Sequence, residues 1–263
     1  MTRRVLILFF SLSVLFSIQA SAQTVDEIIK KNIDAHGGIQ KVKSVKSVKV
    51  TGKVLPTGLG QEVPIVVQQK RPNFVRMDAT FQGKSQTSAY DGETGWKVDP
   101  FQGSSEPERV AGEELKDLQE QSDIDGALVD YKAKGHAVEL MGKEELEGTP
   151  VYKLKLTLKN GDVRYIYLDA ENYLELKTTS KRQTPGGEIE VESFLGNYKP
   201  VNGILMAHSI ENKVRGQVVS QITIDKVEMD VAIDDATFKM PVKPQEKPKT
   251  EEKPKDKPPS TFR

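Results

Sequence analysis

Read as a string of apolar and polar positions, the chain changes its period twice. Val25, Ile28, Ile29 and Ile33 fall on one face of a helix, which Gly37-Gly38 ends, and Ile39 to Val45 predicts a second short helix. From Val48 the period becomes two. Val48, Val50 and Val54 alternate with polar neighbours, as do Val63, Ile65 and Val67, and then Val75, Met77, Ala79 and Phe81. Asp91-Gly92 marks a hairpin turn before a short strand around Trp96 and Val98. Between Glu108 and Lys134 the alternation stops. Leu115 and Leu118 sit among Glu113, Glu114, Lys116, Asp117 and Glu120, which predicts a short charged helix, and an apolar knot of Ile124, Ala127, Leu128 and Val129 follows.

Strands then resume with Val138 and Leu140 and a turn at Glu147-Gly148. Tyr152, Leu154, Leu156 and Leu158 alternate up to Asn160-Gly161, and Val163, Tyr165 and Tyr167 run back from it. Further strands centre on Leu174-Leu176, Ile189-Val191, Leu205-Ile210 and Val218-Ile224. The tight turns make neighbours antiparallel and bring the total to about ten or eleven strands. Most strands have one apolar face and one face of Lys, Glu, Gln and Thr, and a single large sheet of that kind must curl around something. Side chains alone would make it a filled barrel; left partly open, with a helix over its mouth, it would enclose a cavity. The pattern weighs these two equally.

The ends read differently from the body. Arg3 and Arg4 precede an apolar run from Val5 to Ile18, and Ala20-Ser21-Ala22 supplies small residues at a cleavage site. Residues 1–22 are therefore expected to be a secretion signal cut near Ala22-Gln23, which sends the protein across the inner membrane to the periplasm. The run is short for a membrane span, which needs about 18 or more residues, and no second one follows. Residues 241–263 carry prolines at 241, 244, 248, 254, 258 and 259 among lysines and acids, without apolar periodicity. They are expected to be a disordered tail, leaving residues 23–240 as the folded domain.

Composition narrows the chemistry. The chain has 38 basic and 38 acidic side chains and no cysteine. Without cysteine there are no disulfides, thiolate metal sites or acylated lipoprotein cysteine, so the mature protein is expected to be soluble. The signal holds two bases and no acid, and the tail seven bases against four acids, so the body carries five more acids than bases. That balance argues against a nucleic-acid footprint. His36, His136 and His208 lie far apart without metal-ligand spacing. No G-x-S-x-G elbow, P-loop or G-x-G-x-x-G occurs. Glu144-Glu145 and Asp234-Asp235 fall in turns, where carboxylates are solvated. With no base, nucleophile and orienter grouped together, the chain reads as a non-enzyme with neither cofactor nor metal.

Several short motifs together resemble a known family. Gln69-Lys70-Arg71-Pro72-Asn73-Phe74 is followed by Tyr90-Asp91-Gly92-Glu93-Thr94-Gly95-Trp96 and by Asp99-Pro100-Phe101. This order of K-R-P-N, D-G-x-T-x-W and P-F resembles the LolA-like carriers that escort lipoproteins across the periplasm. Asp235-Ala236-Thr237-Phe238-Lys239-Met240-Pro241 is similar to the closing strand of that family, and Tyr198-Lys199-Pro200-Val201-Asn202-Gly203 to the related lipoprotein-sorting group. The likeness runs from about Thr24 to Pro241, on motifs made largely of turn residues.

The resemblance implies a mainly β fold with short helices: an incomplete, strongly curved antiparallel half-barrel with a helical lid and an apolar interior. In the family the arginine of K-R-P-N bonds to the lid, so Arg71 is the lid-latch candidate. Inward-facing candidates for a lipid cavity are Val48, Val50, Ile65, Val67, Val75, Met77, Phe81, Trp96, Leu154, Leu156, Ile189 and Val191. Trp96 reads both as the anchor of its hairpin and as a floor for that cavity. The implied function is a monomeric periplasmic carrier of lipoprotein acyl chains or other envelope lipids, transferring them towards the outer membrane. Its partners would be lipid or acylated lipoprotein cargo and transient inner- and outer-membrane proteins. The same fold also serves envelope-stress sensors and glycolipid binders, so a sensor or interaction module that binds a protein partner is the alternative. Departures from the family are the single Trp, the few Phe and the Pro/Lys tail.

Overall fold

The computed structural model describes residues 23–184 and 186–241; the expected signal and all but the first residue of the expected tail lie outside the described residues. The fold begins with a helix that its own sequence caps. Thr24 Oγ1 accepts from the Glu27 amide while the Glu27 carboxylate accepts from the Thr24 amide, a reciprocal capping box that starts α1 at Val25–Ala35. His36 caps its end, and Gly37 and Gly38 take positive φ to turn the chain into α2, Ile39–Ser44.

Six strands follow as a meander: β1 Ser47–Pro56, β2 Val63–Lys70, β3 Phe74–Phe81, β4 Lys84–Tyr90, β5 Gly95–Asp99 and β6 Ser104–Arg109. Helix α3, Gly112–Gln121, and an irregular 122–136 segment precede β7 Ala137–Leu146, β8 Thr149–Thr157, β9 Val163–Asp169, β10 Glu175–Thr184 and β11 Gly187–Gly196. A small hairpin, β12 Lys199–Val201 and β13 Ile204–Met206, interrupts the run before β14 Ser209–Val214 and β15 Gln217–Met229. A 3₁₀ turn at Asp235–Thr237 ends the described fold.

Thirteen strands form one antiparallel sheet in the order β6-β5-β4-β3-β2-β1-β15-β14-β11-β10-β9-β8-β7, with β12-β13 as a separate pair. The sheet is curved and open, its edge strands β6 and β7 unpaired to each other. The count exceeds the ten or eleven expected from sequence. Strands β4 (KSQTSAY) and β6 (SSEPER) are too polar to show an apolar alternation; they join because β3 and β5 offer them backbone partners. At the centre β1 pairs with β15, with Val48 opposite Met229 and Val50 opposite Val227. The register shifts between Thr51 and Gly52, where a Cβ on Gly52 would run into the Thr223 carbonyl.

Strand alternation separates the two faces. Val67, Val75 and Tyr90 share the inner face of the β2–β4 arm, while Leu154, Leu156, Ile166 and Leu168 share that of the β8–β9 arm. Helix α1 fills the latter: Ile28 and Ile29 pack against Leu154, Leu156 and Leu168 in the largest apolar cluster. Helix α3 sits on the other arm, with Leu118 packed on Val75 and Tyr90. It can settle there because residue 95 is glycine: a Cβ on Gly95 would lie 2.7 Å from Val110 Cγ2 and 2.8 Å from Leu115 Cδ1. The opposite arm holds α3 by charge, through Arg164–Glu120 and Arg182–Asp117.

Candidate lipid cavity

Among the described residues, the curved sheet and these helices leave two neighbouring spaces that share lining residues, besides a smaller groove beside α3. The larger, about 950 Å³, has a floor of Val67, Pro72, Val75, Tyr90, Ala127 and Leu158. Its rim is polar, with Gln119 to Asp123 on one side and Lys134, His136, Lys159 and Arg164 on the other. The smaller, about 450 Å³, is mostly apolar and is walled by Ile124, Leu128, Ile166, Leu195, Ile210 and Ile224 among others. Gly126, Ala127 and Arg164 border both. The 122–136 segment is thus the partition between two chambers of one concave interior.

Ion pairs hold that partition from three sides. Asp130 pairs with Lys43 of α2. Asp26 of α1 accepts from Tyr131 Oη at 2.7 Å and pairs with Lys132 at 2.8 Å. Arg71 donates from Nη1 to Asp125 Oδ2 at 2.9 Å and from Nη2 to Asp125 Oδ1. The same guanidinium donates to the Val45 carbonyl at 2.6 Å and the Val42 carbonyl at 3.3 Å, at the end of α2. Its planar fork suits this, since several donors lie in fixed directions. Burial pushes the Asp125 carboxyl up, but the hydrogen bonds and charge of Arg71, with Lys134 and Lys43 nearby, hold it below the usual range. Donation to the Asp125 carboxylate correspondingly raises the pKa of Arg71.

The twelve residues proposed from sequence as cavity wall separate into groups. Val67 and Val75 line the larger chamber, and Met77 packs beside Val67. Ile65 lies further along β2 from Val67, and the Phe81 ring lies 6.1 Å from Phe101, tilted at 55°, at the far end of β3. Val48 is buried and Val50 packs beside it, with Val45, Ile204 and Ile124, so that part of the interior is filled. Leu154 and Leu156 are fully buried in the cluster under α1. Ile189 and Val191 stand on β11 opposite Arg182 and Ser180, away from both chambers.

Trp96 is a correction. It pairs with Ala89, which pairs with Arg76, the opposite parity to Val75 and Met77, so it faces the outer side of the sheet. There the C-terminal segment covers it: its Nε1 donates to the Phe238 carbonyl at 2.7 Å, and Phe238 also stacks on Phe74. It anchors the hairpin and floors no cavity. Sequence reasoning left out Tyr90, Ala127, Leu158 and Arg164. Leu158 continues the alternation of β8 and carried the signal, whereas Arg164 fell on the polar side of the Val163, Tyr165, Tyr167 alternation.

Each histidine ring meets a backbone group. His36 Nδ1 lies 2.7 Å from the Leu205 carbonyl, and His208 Nδ1 2.9 Å from that of Met206. His136 Nδ1 accepts from the Lys159 amide at 3.0 Å; burial, then the charge of Lys134, lowers its pKa. Among the described residues no three His, Cys, Asp or Glu side chains are grouped to hold a metal ion. Among them, too, no helix is long and apolar enough to cross a membrane.

No family model and no curated protein matches the sequence. Solved structures do match the shape. LolA superfamily protein NE2245 from Nitrosomonas europaea superposes with a TM-score of 0.55 at 16% identity, over 83% of this chain and 98% of that one. The fold is LolA-like. A domain named for outer-membrane lipoprotein sorting, from Vibrio parahaemolyticus, follows with a TM-score of 0.51 at 12% identity, over 80% of this chain and 97% of that one. At such identities the likeness is one of architecture.

Proposed function

We propose that this protein is a periplasmic carrier that shelters the acyl chains of a lipid or acylated protein in its concave interior and passes them towards the outer membrane, without catalysing a reaction. The observation that carries the reading is the larger chamber, about 950 Å³ with an aliphatic floor, beside a second apolar chamber of about 450 Å³. Pockets that hold small ligands measure roughly 300–1,000 Å³. Burying acyl carbon contributes roughly 0.8 kcal/mol per CH₂, so a chain of about 16 carbons gives on the order of 12 kcal/mol before ordering costs. Aliphatic walls hold such a chain without directional bonds, which lets it leave again. The LolA-like architecture, and an apolar run at residues 5–18 that resembles a secretion signal, support a periplasmic site of action.

Native mass spectrometry of the mature protein, purified gently from a periplasmic extract, tests this. Near-stoichiometric lipid or acylated protein, identified after denaturation, is the expected result. A protein that is empty and also fails to displace a hydrophobic fluorophore when lipid is added would overturn it, and would favour the module that binds a protein partner.

A further inference from the structure

We propose that Arg164 receives the headgroup of an anionic single-chain amphiphile, whose carboxylate takes the place that the Glu120 side chain holds. The inference rests on the carrier reading and adds to it a ligand class and a binding group. In β9 the inward row reads Arg164, Ile166, Leu168, and the last two are buried in the apolar cluster. An aliphatic side chain at 164, opposite Leu156, would continue that row without the cost of desolvating a charge. Arginine stands instead where the spaces meet. It borders the larger chamber, the smaller chamber and a third groove of about 270 Å³ beside α3.

A chain lying in the apolar smaller chamber would therefore bring its polar end to Arg164. The guanidinium is suited to that end. It has five N–H donors in a fork that matches a carboxylate, and among the described residues only Nη2 is engaged, with Glu120 Oε1. Glu120 shows that a carboxylate fits the position, and it comes from α3, an element that rests on the other arm of the sheet. Exchange of Glu120 for a ligand carboxylate would replace one charge-assisted pair by another without leaving either arginine or ligand unpaired. Lys159 on the adjoining rim adds positive charge around the same opening, where Lys134 is already paired with Asp123 at 2.5 Å.

The test uses the mature full chain with cis-parinaric acid and its methyl ester, two fluorescent probes with the same hydrocarbon chain. The acid is expected to bind at least about tenfold tighter than the ester, the range of one charge-assisted pair. In Arg164→Gln the acid-to-ester ratio is expected to fall to near one, and in Glu120→Gln acid binding is expected to tighten as the internal competitor is lost. Acetate at matching concentration should not displace the acid, which distinguishes a lipid headgroup from a free anion. Equal binding of acid and ester by the wild type, or a preference that survives Arg164→Gln, overturns the assignment and leaves the carrier reading in place. Should Arg164→Gln fail to fold, unchanged acid affinity in Glu120→Gln overturns it instead. If neither probe binds the wild type, the carrier reading falls and this assignment falls with it.

Discussion

Arg71 holds Asp125 in a two-pronged ion pair while the same guanidinium reaches the carbonyls of Val42 and Val45, so one side chain ties the interior partition to α2 and to the sheet. The Asp125 side chain is only 11% exposed and that of Arg71 30%. Arg71→Leu leaves a largely buried carboxylate without its partner and is expected to cost about 1–3 kcal/mol by urea denaturation. Adding Asp125→Asn should recover part of the loss, and a double-mutant cycle measures the coupling. The pH dependence has a definite sign. The Asp125 carboxyl is held below its ordinary value in the folded protein, so its stabilisation is present above the unfolded value, about 4, and is lost as pH falls through the folded one. The coupling should therefore be intact at neutral pH and disappear in strong acid.

Val67 is half-buried on the floor of the larger chamber. Val67→Glu puts a charge into an apolar wall but leaves the carboxylate able to reach water. The variant should keep the wild-type circular dichroism spectrum and lose binding of a hydrophobic fluorophore. Retained binding in a folded variant would sink the assignment of this chamber.

The single Trp faces away from the interior, which gives it an informative silence. Brominated acyl chains bound in either chamber should leave Trp96 fluorescence unquenched, since the whole sheet lies between. Trp96→Phe keeps a ring on Phe238 but removes the Nε1 donor from a buried carbonyl. The expected cost is about 1–2 kcal/mol in stability with lipid affinity unchanged. Strong quenching by a bound chain would mean that the cargo lies on the outer face.

Gly95 sets the height of α3 above the sheet. Gly95→Val forces atoms into the space of Val110 and Leu115 and should cost about 1–3 kcal/mol by overpacking. Hydrogen exchange should speed up in α3, while the amides of α1, packed on the other arm, keep their protection.

Legibility followed locality. The α1 stripe, the β8–β9 hairpin at Asn160-Gly161 and the alternation of β2 and β3 stood in the sequence because each is fixed by neighbours in the chain. Strands β4 and β6 were hidden, since their partners rather than their own residues make them strands. The face of Trp96 was hidden too: its parity is plain only once Ala89 and Arg76 are known to lie beside it. For the site, Arg71 was visible as part of a motif, but Asp125 was not, because nothing in the sequence relates the two. The knot at Ile124 to Val129 was legible as apolar but not as the divider of the interior. Arg164 fell on the polar side of the Val163, Tyr165, Tyr167 alternation, and so reads as surface until its neighbours Leu156 and Glu120 are placed.

The β1–β15 seam has a kinetic side. Each arm of the sheet is a meander of hairpins whose partners are close in the chain, so each can assemble from short loops. The seam alone joins the first strand to the last, and its closure carries the largest entropic cost in the molecule. A nascent chain therefore cannot complete the middle of its own sheet until nearly all of it has emerged. That arrangement builds in a delay: the two arms wait, each with its apolar face uncovered, for the final strand to bring them together.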